Sequence, residues 1–197
     1  MTLPCGGVIA MPGPSKTHKT SPTDPHGAPP VALRHATESD LPAIVQIYNA
    51  AIATGQSTAD TELQTVDSRL PWFRHHSHNS RPIWVAVAGG NVIGWLSLQS
   101  FQGRPGYNIT AEVSVYVARG HRRHGVATLL LRHAIAHSPA LGLRNLLALV
   151  FAHNGPSIAL FTSLGFQQMG HFPRVAVLNK DERDLTIFGL RLPAAQG

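Results

Sequence analysis

Glu112-Val-Ser-Val-Tyr-Val-Ala-Arg-Gly-His-Arg-Arg-His-Gly-Val-Ala127 is the stretch on which the reading turns. Its first half alternates, with Val113, Val115 and Val117 on one face of a strand and Glu112, Ser114 and Tyr116 on the other. Its second half carries Arg119, Arg122 and Arg123, then Gly125, after which Val126, Leu129, Leu130, His133 and Ala134 recur at helical spacing to about His137. A strand thus runs through a basic loop directly into a helix. Gly125 tolerates backbone angles that other residues avoid and lets main chain approach a ligand, while the unpaired N–H groups of a helix start point out of it. Together with the macrodipole they form a phosphate site, to which the arginines add charge-assisted contacts. This is the chemistry of a pyrophosphate cradle. It has neither the Gly-Lys-Ser/Thr of a Walker A loop nor a Gly-x-Gly-x-x-Gly fingerprint.

Outward from this stretch the two periods alternate. Upstream, Val31 to His35 reads as a short strand. Thr37 and Asp40 form a capping box for a helix with Leu41, Ile44, Tyr48 and Ala51 on one face, and Thr65 to His76 reads as a second helix. Ile83 to Ala88 and Val92 to Leu98 flank Gly89-Gly90-Asn91 as a hairpin, and Ser100 to Tyr107 is a loop before the strand Ile109 to Val117. Downstream, Leu146 to Ala152 reads as a strand buried on both faces, Ser157 to Leu164 as a helix stopped by Gly165, and Phe166 to His171 and Leu185 to Leu192 as closing strands. The order β-α-α-β-β-β-α-β-α-β-β predicts one mixed sheet with helices on its faces. Residues 1–30, rich in Pro with scattered Gly, Ser and Thr, read as a disordered extension, leaving one domain over 31–193.

Composition narrows the function classes. The chain has 197 residues, 43% of them hydrophobic, which suffices for a core. Its longest apolar run, Leu146 to Ala152, falls far short of the roughly 20 residues of a membrane span, so no membrane partner is expected. One cysteine, Cys5, excludes a disulfide framework and a cysteine zinc cluster, and with no secretory signal pattern the expected location is cytoplasmic. Net charge is +6, and between Val113 and Lys180 six arginines and one lysine stand without a single carboxylate. That field suits nucleic acid or a phosphorylated cofactor. The aromatic interleaving of a nucleic-acid stacking platform is missing, so no nucleic-acid partner is expected. His75, His76 and His78 straddle a helix end without a nearby carboxylate, and no metal is expected there.

Arg122-x-x-Gly125-x-Ala127 after a Val-Tyr-Val strand resembles the acyl-CoA motif of the GNAT superfamily of N-acetyltransferases, and Asn154-Gly-Pro-Ser157 with Leu164-Gly165-Phe166 resembles its second motif. Thr110-Ala-Glu-Val-Ser-Val-Tyr-Val117, Pro71-Trp-Phe73, the Phe101 loop with Gly106-Tyr107, and Asp184-Leu-Thr186 are similar in order and spacing to the phosphinothricin and methionine sulfone/sulfoximine acetyltransferase branch. The resemblance implies an α+β fold with a mixed, mostly antiparallel sheet of about seven strands and helices on both faces. It implies acetyl-CoA in a slot between splayed strands, with main-chain groups of Val115, Tyr116 and Val117 along the pantetheine. Arg122, Arg123 and His124 with Gly125, Val126, Ala127 and Thr128 would lie at the pyrophosphate, and Asn154 and Ser163 would also lie against the cofactor. Glu112 is then the base for a small-molecule amine, and Phe73, Gln102 and Arg104 join Glu112 as substrate contacts.

Departures from the branch bear on substrate. Gln102 stands where an arginine binds the amino-acid carboxylate, with Arg104 two residues on. Leu178 and Glu182 replace a Lys and a Trp. Phe161 replaces the tyrosine that often protonates the leaving thiolate. The branch further implies a homodimer built on the late strands. Acetylation of a protein amine and CoA sensing without turnover are the alternatives.

Overall fold

The computed structural model describes residues 30–193, so the extension expected over residues 1–30 lies, apart from Pro30, outside the described residues. Strand β1 (Ala32–His35) passes through a 3₁₀ turn at Glu38–Asp40 into helix α1 (Leu41–Ile52), followed by α2 (Val66–His75). Strands β2 (Ile83–Ala88), β3 (Asn91–Ser100) and β4 (Thr110–Val117) form a meander. Helix α3 (Val126–His137) crosses to β5 (Asn145–Phe151), and α4 (Gly155–Ser163) leads to the hairpin of β6 (Gln167–Leu178) and β7 (Asp181–Arg191).

One seven-stranded sheet results, in the order β1-β2-β3-β4-β5-β7-β6. Every neighbouring pair is antiparallel except β4 and β5. The expected α+β architecture, a mostly antiparallel mixed sheet with four helices, is what the chain adopts. Period two in β2 explains why it has two cores. Ile83 and Val85 pack with Leu41, Ile44 and Tyr48 of α1, whereas Trp84 and Ala86 pack with Leu130 and Ala134 of α3. α1 and α3 therefore cover opposite faces of the sheet.

Local chemistry sets the junctions. The Asp40 carboxylate accepts from the Thr37 N–H at 2.8 Å and from both terminal nitrogens of Arg34 at 2.6 and 2.8 Å, closing the capping box at the entry to α1. The β2–β3 turn places Gly89 and Gly90 at φ +55° and +81°, a conformation whose twist matches the flanking strands. Asn91, expected in that turn, pairs with Ala88 as the first residue of β3.

The closing hairpin is longer than the sequence pattern indicates. Asn179 and Lys180 make its two-residue turn at φ +53° and +72°, so β6 continues to Leu178 and β7 starts at Asp181. β6 is a sheet edge, and it leaves Met169, Phe172, Val175 and Val177 exposed. Among the described residues no helix is long and apolar enough to cross a membrane.

Candidate active site

The site begins where β4 and β5 part. Their parallel ladder holds only Thr110 with Asn145, Ala111 with Leu146 and Glu112 with Leu147. Beyond Glu112 both strands continue while diverging, so β4 from Val113 to Val117 has no strand partner on that side. Two adjoining cavities occupy the wedge, and both touch Tyr116 and Ser57.

The first, of about 470 Å³, runs along Val115, Tyr116 and Val117 toward the start of α3. Gly125 is the N-cap of that helix at φ +77°, and nothing lies within 4 Å of where its side chain would project. An L-residue there would be strained and would also fill the approach to the helix's free N–H groups. Arg122, Arg123, Val126, Ala127 and Thr128 line this end together with Gly125. Arg122 is oriented by its Nε donating to the Val117 carbonyl at 3.2 Å.

Asn154 lines the opposite wall and works in two directions. Its Oδ1 accepts from the Ser157 N–H at 3.2 Å, capping α4, and its Nδ2 donates to the Gln56 carbonyl at 3.0 Å. The second bond draws the loop after α1 across the cleft, so Thr54, Gln56 and Ser57 join the wall. Those three residues carry no motif in the sequence, and His121 of the basic loop also lines this cavity.

Two expected residues are absent from this wall. Ser163 sits in the last turn of α4, more than two turns beyond Asn154, and its hydroxyl donates to the Leu160 carbonyl at 2.7 Å. His124 is exposed on the loop ahead of Gly125.

The second cavity, of about 410 Å³, holds Glu112. Among the described residues the Glu112 carboxylate makes no hydrogen bond or ion pair, and burial pushes its pKa above the usual carboxylate value. Aromatic rings frame it. Trp95 packs on Tyr116 at 4.7 Å between centroids, Tyr48 meets Tyr116 edge-on at 5.1 Å, and Trp72 meets Trp95 at 5.7 Å. Tyr48 donates to Asp60 Oδ2 at 2.9 Å and shares a 2.6 Å hydrogen bond with the Thr58 hydroxyl, and Tyr116 donates to the Ser57 carbonyl at 3.3 Å. Burial raises the pKa of both phenols, so at neutral pH they act as hydrogen-bond donors that hold residues 57–60 over the cavity. Leu149 and Phe151 of β5, Val175 of β6 and Leu185 of β7 form an apolar wall.

Phe73, Gln102 and Arg104, expected beside Glu112, do not line this cavity. Phe73 packs from α2 onto the α1 core. After β3 the chain turns through Gln102 and Gly103 at φ +60° and +58°, and it then enters a 3₁₀ turn at Pro105–Tyr107 capped by Arg104. Phe101 stacks edge-on against Tyr107 at 5.6 Å, which closes that loop on itself and leaves Gln102 and Arg104 in solvent. Phe161 is buried against Phe166 at 5.0 Å. The three clustered histidines separate: His76 Nδ1 bonds the Trp72 carbonyl at 2.8 Å, His78 stacks on His35 at 4.3 Å, and His75 is exposed on α2.

The residues fit an acyl-CoA. A strand edge without a strand partner leads from a half-buried carboxylate to a helix N-terminus under arginines, and the empty space beside Gly125 admits a pyrophosphate at the free N–H groups. Sheet and cleft together are those of an acyl-CoA-dependent N-acyltransferase. The chain belongs to the acetyltransferase (GNAT) family, whose sequence model matches residues 43–166. It is 45% identical over 163 residues to YwnH of Bacillus subtilis, provisionally named a phosphinothricin acetyltransferase, covering 82% of this chain and 99% of the relative. It is 35% identical over 164 residues to the L-methionine sulfoximine/L-methionine sulfone acetyltransferase of Pseudomonas paraeruginosa, covering 82% of this chain and 94% of the relative. The crystal structure of a GNAT phosphinothricin acetyltransferase from Sinorhizobium meliloti with acetyl-CoA superposes with a TM-score of 0.79 at 27% identity, covering 82% of this chain and 88% of that one.

Proposed function

We propose that the protein transfers the acetyl group of acetyl-CoA to the α-amine of a small amino acid or amino-acid analogue, with Glu112 as general base. The observation that carries the reading is Glu112 itself, a half-buried carboxylate without a partner among the described residues, on the last rung of the β4–β5 ladder and facing the second cavity. Relatives named for phosphinothricin and for L-methionine sulfoximine and sulfone support the substrate class.

The N–H groups of Gly125, Val126, Ala127 and Thr128, with Arg122 and Arg123, would hold the pyrophosphate, and the main chain of Val115 to Val117 would hold the pantetheine. Bound there, acetyl-CoA supplies an activated acetyl thioester. An amine is mostly protonated at neutral pH and must lose a proton before it can act as a nucleophile. Glu112 accepts that proton, and the rise in its pKa makes it a stronger base than a solvated carboxylate. Tyr48 and Tyr116 fix residues 57–60 as one wall of the cavity. The exposed apolar edge of β6 is the seat of a second copy of the chain, giving a homodimer.

The test is thiol release from acetyl-CoA against a panel of amino acids that includes phosphinothricin and methionine sulfone. Glu112→Gln is expected to lower kcat by about 10²–10⁴-fold while acetyl-CoA still raises the melting temperature. Undiminished turnover in that variant would remove the base assignment.

A further inference from the structure

We infer that Arg69 binds the α-carboxylate of the amine substrate, the task for which the chain offers Gln102 and Arg104 by position. The inference rests on the amino-acid reading above and gives it a specificity determinant. Arg69 lies on α2 and lines the same cavity as Glu112, whereas Gln102 and Arg104 stand in solvent on the closed loop after β3. Its guanidinium carbon sits 4.2 Å from the Trp72 ring centroid and 4.7 Å from that of Tyr48. Two rings of the cavity wall therefore flank the guanidinium and set its position.

The guanidinium N–H groups are the informative part. Among the described residues Arg69 makes no salt bridge and donates no side-chain hydrogen bond. Asp60, the other charged residue of the cavity besides Glu112, accepts from Tyr48 at 2.9 Å. A half-buried guanidinium with an unused planar fork is matched to a carboxylate, which it holds by two parallel hydrogen bonds. An α-amino acid presents its amine and its carboxylate one carbon apart. With its ammonium at Glu112 and its carboxylate at Arg69, the side chain has the rest of the lining to fill, Leu149, Phe151, Val175 and Leu185 on one side and Ser97, Gln99 and Ser114 on the other. The cavity thus selects α-amino acids over plain amines.

The experiment compares kcat/KM for each accepted amino acid with that for its α-amide and its decarboxylated amine, in wild type, Arg69→Gln, Arg69→Lys and Arg104→Ala. The wild type is expected to prefer the acid by about 10- to 100-fold, mainly through KM, and Arg69→Gln to erase that preference. Arg69→Lys keeps the charge without the fork and recovers part of it. The rise in melting temperature with acetyl-CoA reports folding. If Arg69→Gln lacks that rise, Arg69→Lys carries the test, with a reduced preference as the supporting result and an intact one as the overturning result. Equal losses for acid and amide in Arg69→Gln, or collapse of the preference in Arg104→Ala instead, would overturn the assignment. Turnover of amines by the wild type without regard to the carboxylate would remove the clamp and leave acetyl transfer standing. No turnover of any amine would remove both.

Discussion

On the Glu112 carboxylate, burial acts with no hydrogen bond or cation opposing it, and the folded pKa lies above that of the unfolded chain. Relative to the unfolded chain, the fold favours the protonated form. Its contribution to stability is complete below the unfolded pKa and is lost as pH rises through the folded value. Glu112→Gln is therefore expected to melt higher than wild type near pH 7 and alike near pH 4, in thermal scans without acetyl-CoA. Equal melting temperatures at both pH values would mean that the carboxylate finds a partner in solution. If Glu112 is the base, as proposed, the acid limb of kcat/KM should lie above the ordinary carboxylate value, and the Gln variant should lack that limb. Asp40 shows the opposite sign. The Arg34 hydrogen bonds outweigh burial and hold its carboxyl low, so its contribution is present above the unfolded pKa and fades only as pH falls through the depressed one.

Among the elements, α4 and the loop after α1 share one side chain. Asn154→Ala removes a helix cap, a loss of about 1 kcal/mol, and also frees Gln56 from the cleft wall. A lower melting temperature together with a higher KM for acetyl-CoA is expected, and a stability loss with KM unmoved would show that the Gln56 tie is idle. The same region shows where local reading of the sequence ends. β4, the basic loop and α3 were legible because period two gives way to period 3.6 across Gly125, and the Gly89-Gly90 turn announced its hairpin. The extent of β6 and β7 was not, since Asn179 and Lys180 take positive φ without the glycine that usually signals such a turn. Residues 54–60 carry no periodicity at all. They reach the site through hydrogen bonds to Tyr48 of the preceding helix and to Tyr116 and Asn154, the last two 59 and 98 positions from their partners. Gln102 and Arg104, expected beside Glu112, stand apart from its cavity for a related reason. Position along the chain does not reveal that Phe101 folds back on Tyr107 and withdraws the loop. Arg69 gave no signal because an arginine on a helix reads as a solvated charge until the rings beside it are known.

At the scale of the whole molecule, four histidines meet around buried Trp84. His35 stacks on His78 at 4.3 Å and His133 on His137 at 3.9 Å, with both His35 and His133 against the indole. Burial first, and then the neighbouring imidazoles, lower the pKa of His35 and His133. Their contribution is present above the unfolded value and lost as pH falls through the lowered ones, so the melting temperature should drop between about pH 7 and pH 5. His133→Gln should flatten that drop, and an unchanged slope would assign it to other groups. The exposed β6 edge sets the assembly prediction: Val177→Glu is expected to shift sedimentation from dimer to monomer, and a monomeric wild type would dismiss the homodimer. The parting of β4 from β5 reaches further than the reaction. Three rungs are the strand pairing at the seam that joins β1–β4 to β5–β7, and beyond them the halves meet through the shared core under α3. A molecule lying along the open side of β4 takes the place of a missing strand and stitches the halves together, stabilising the fold as its concentration rises above its dissociation constant. Starved of its cosubstrate, such an enzyme would breathe along that seam, and its lifetime among proteases would follow the acetyl-CoA supply of the cell.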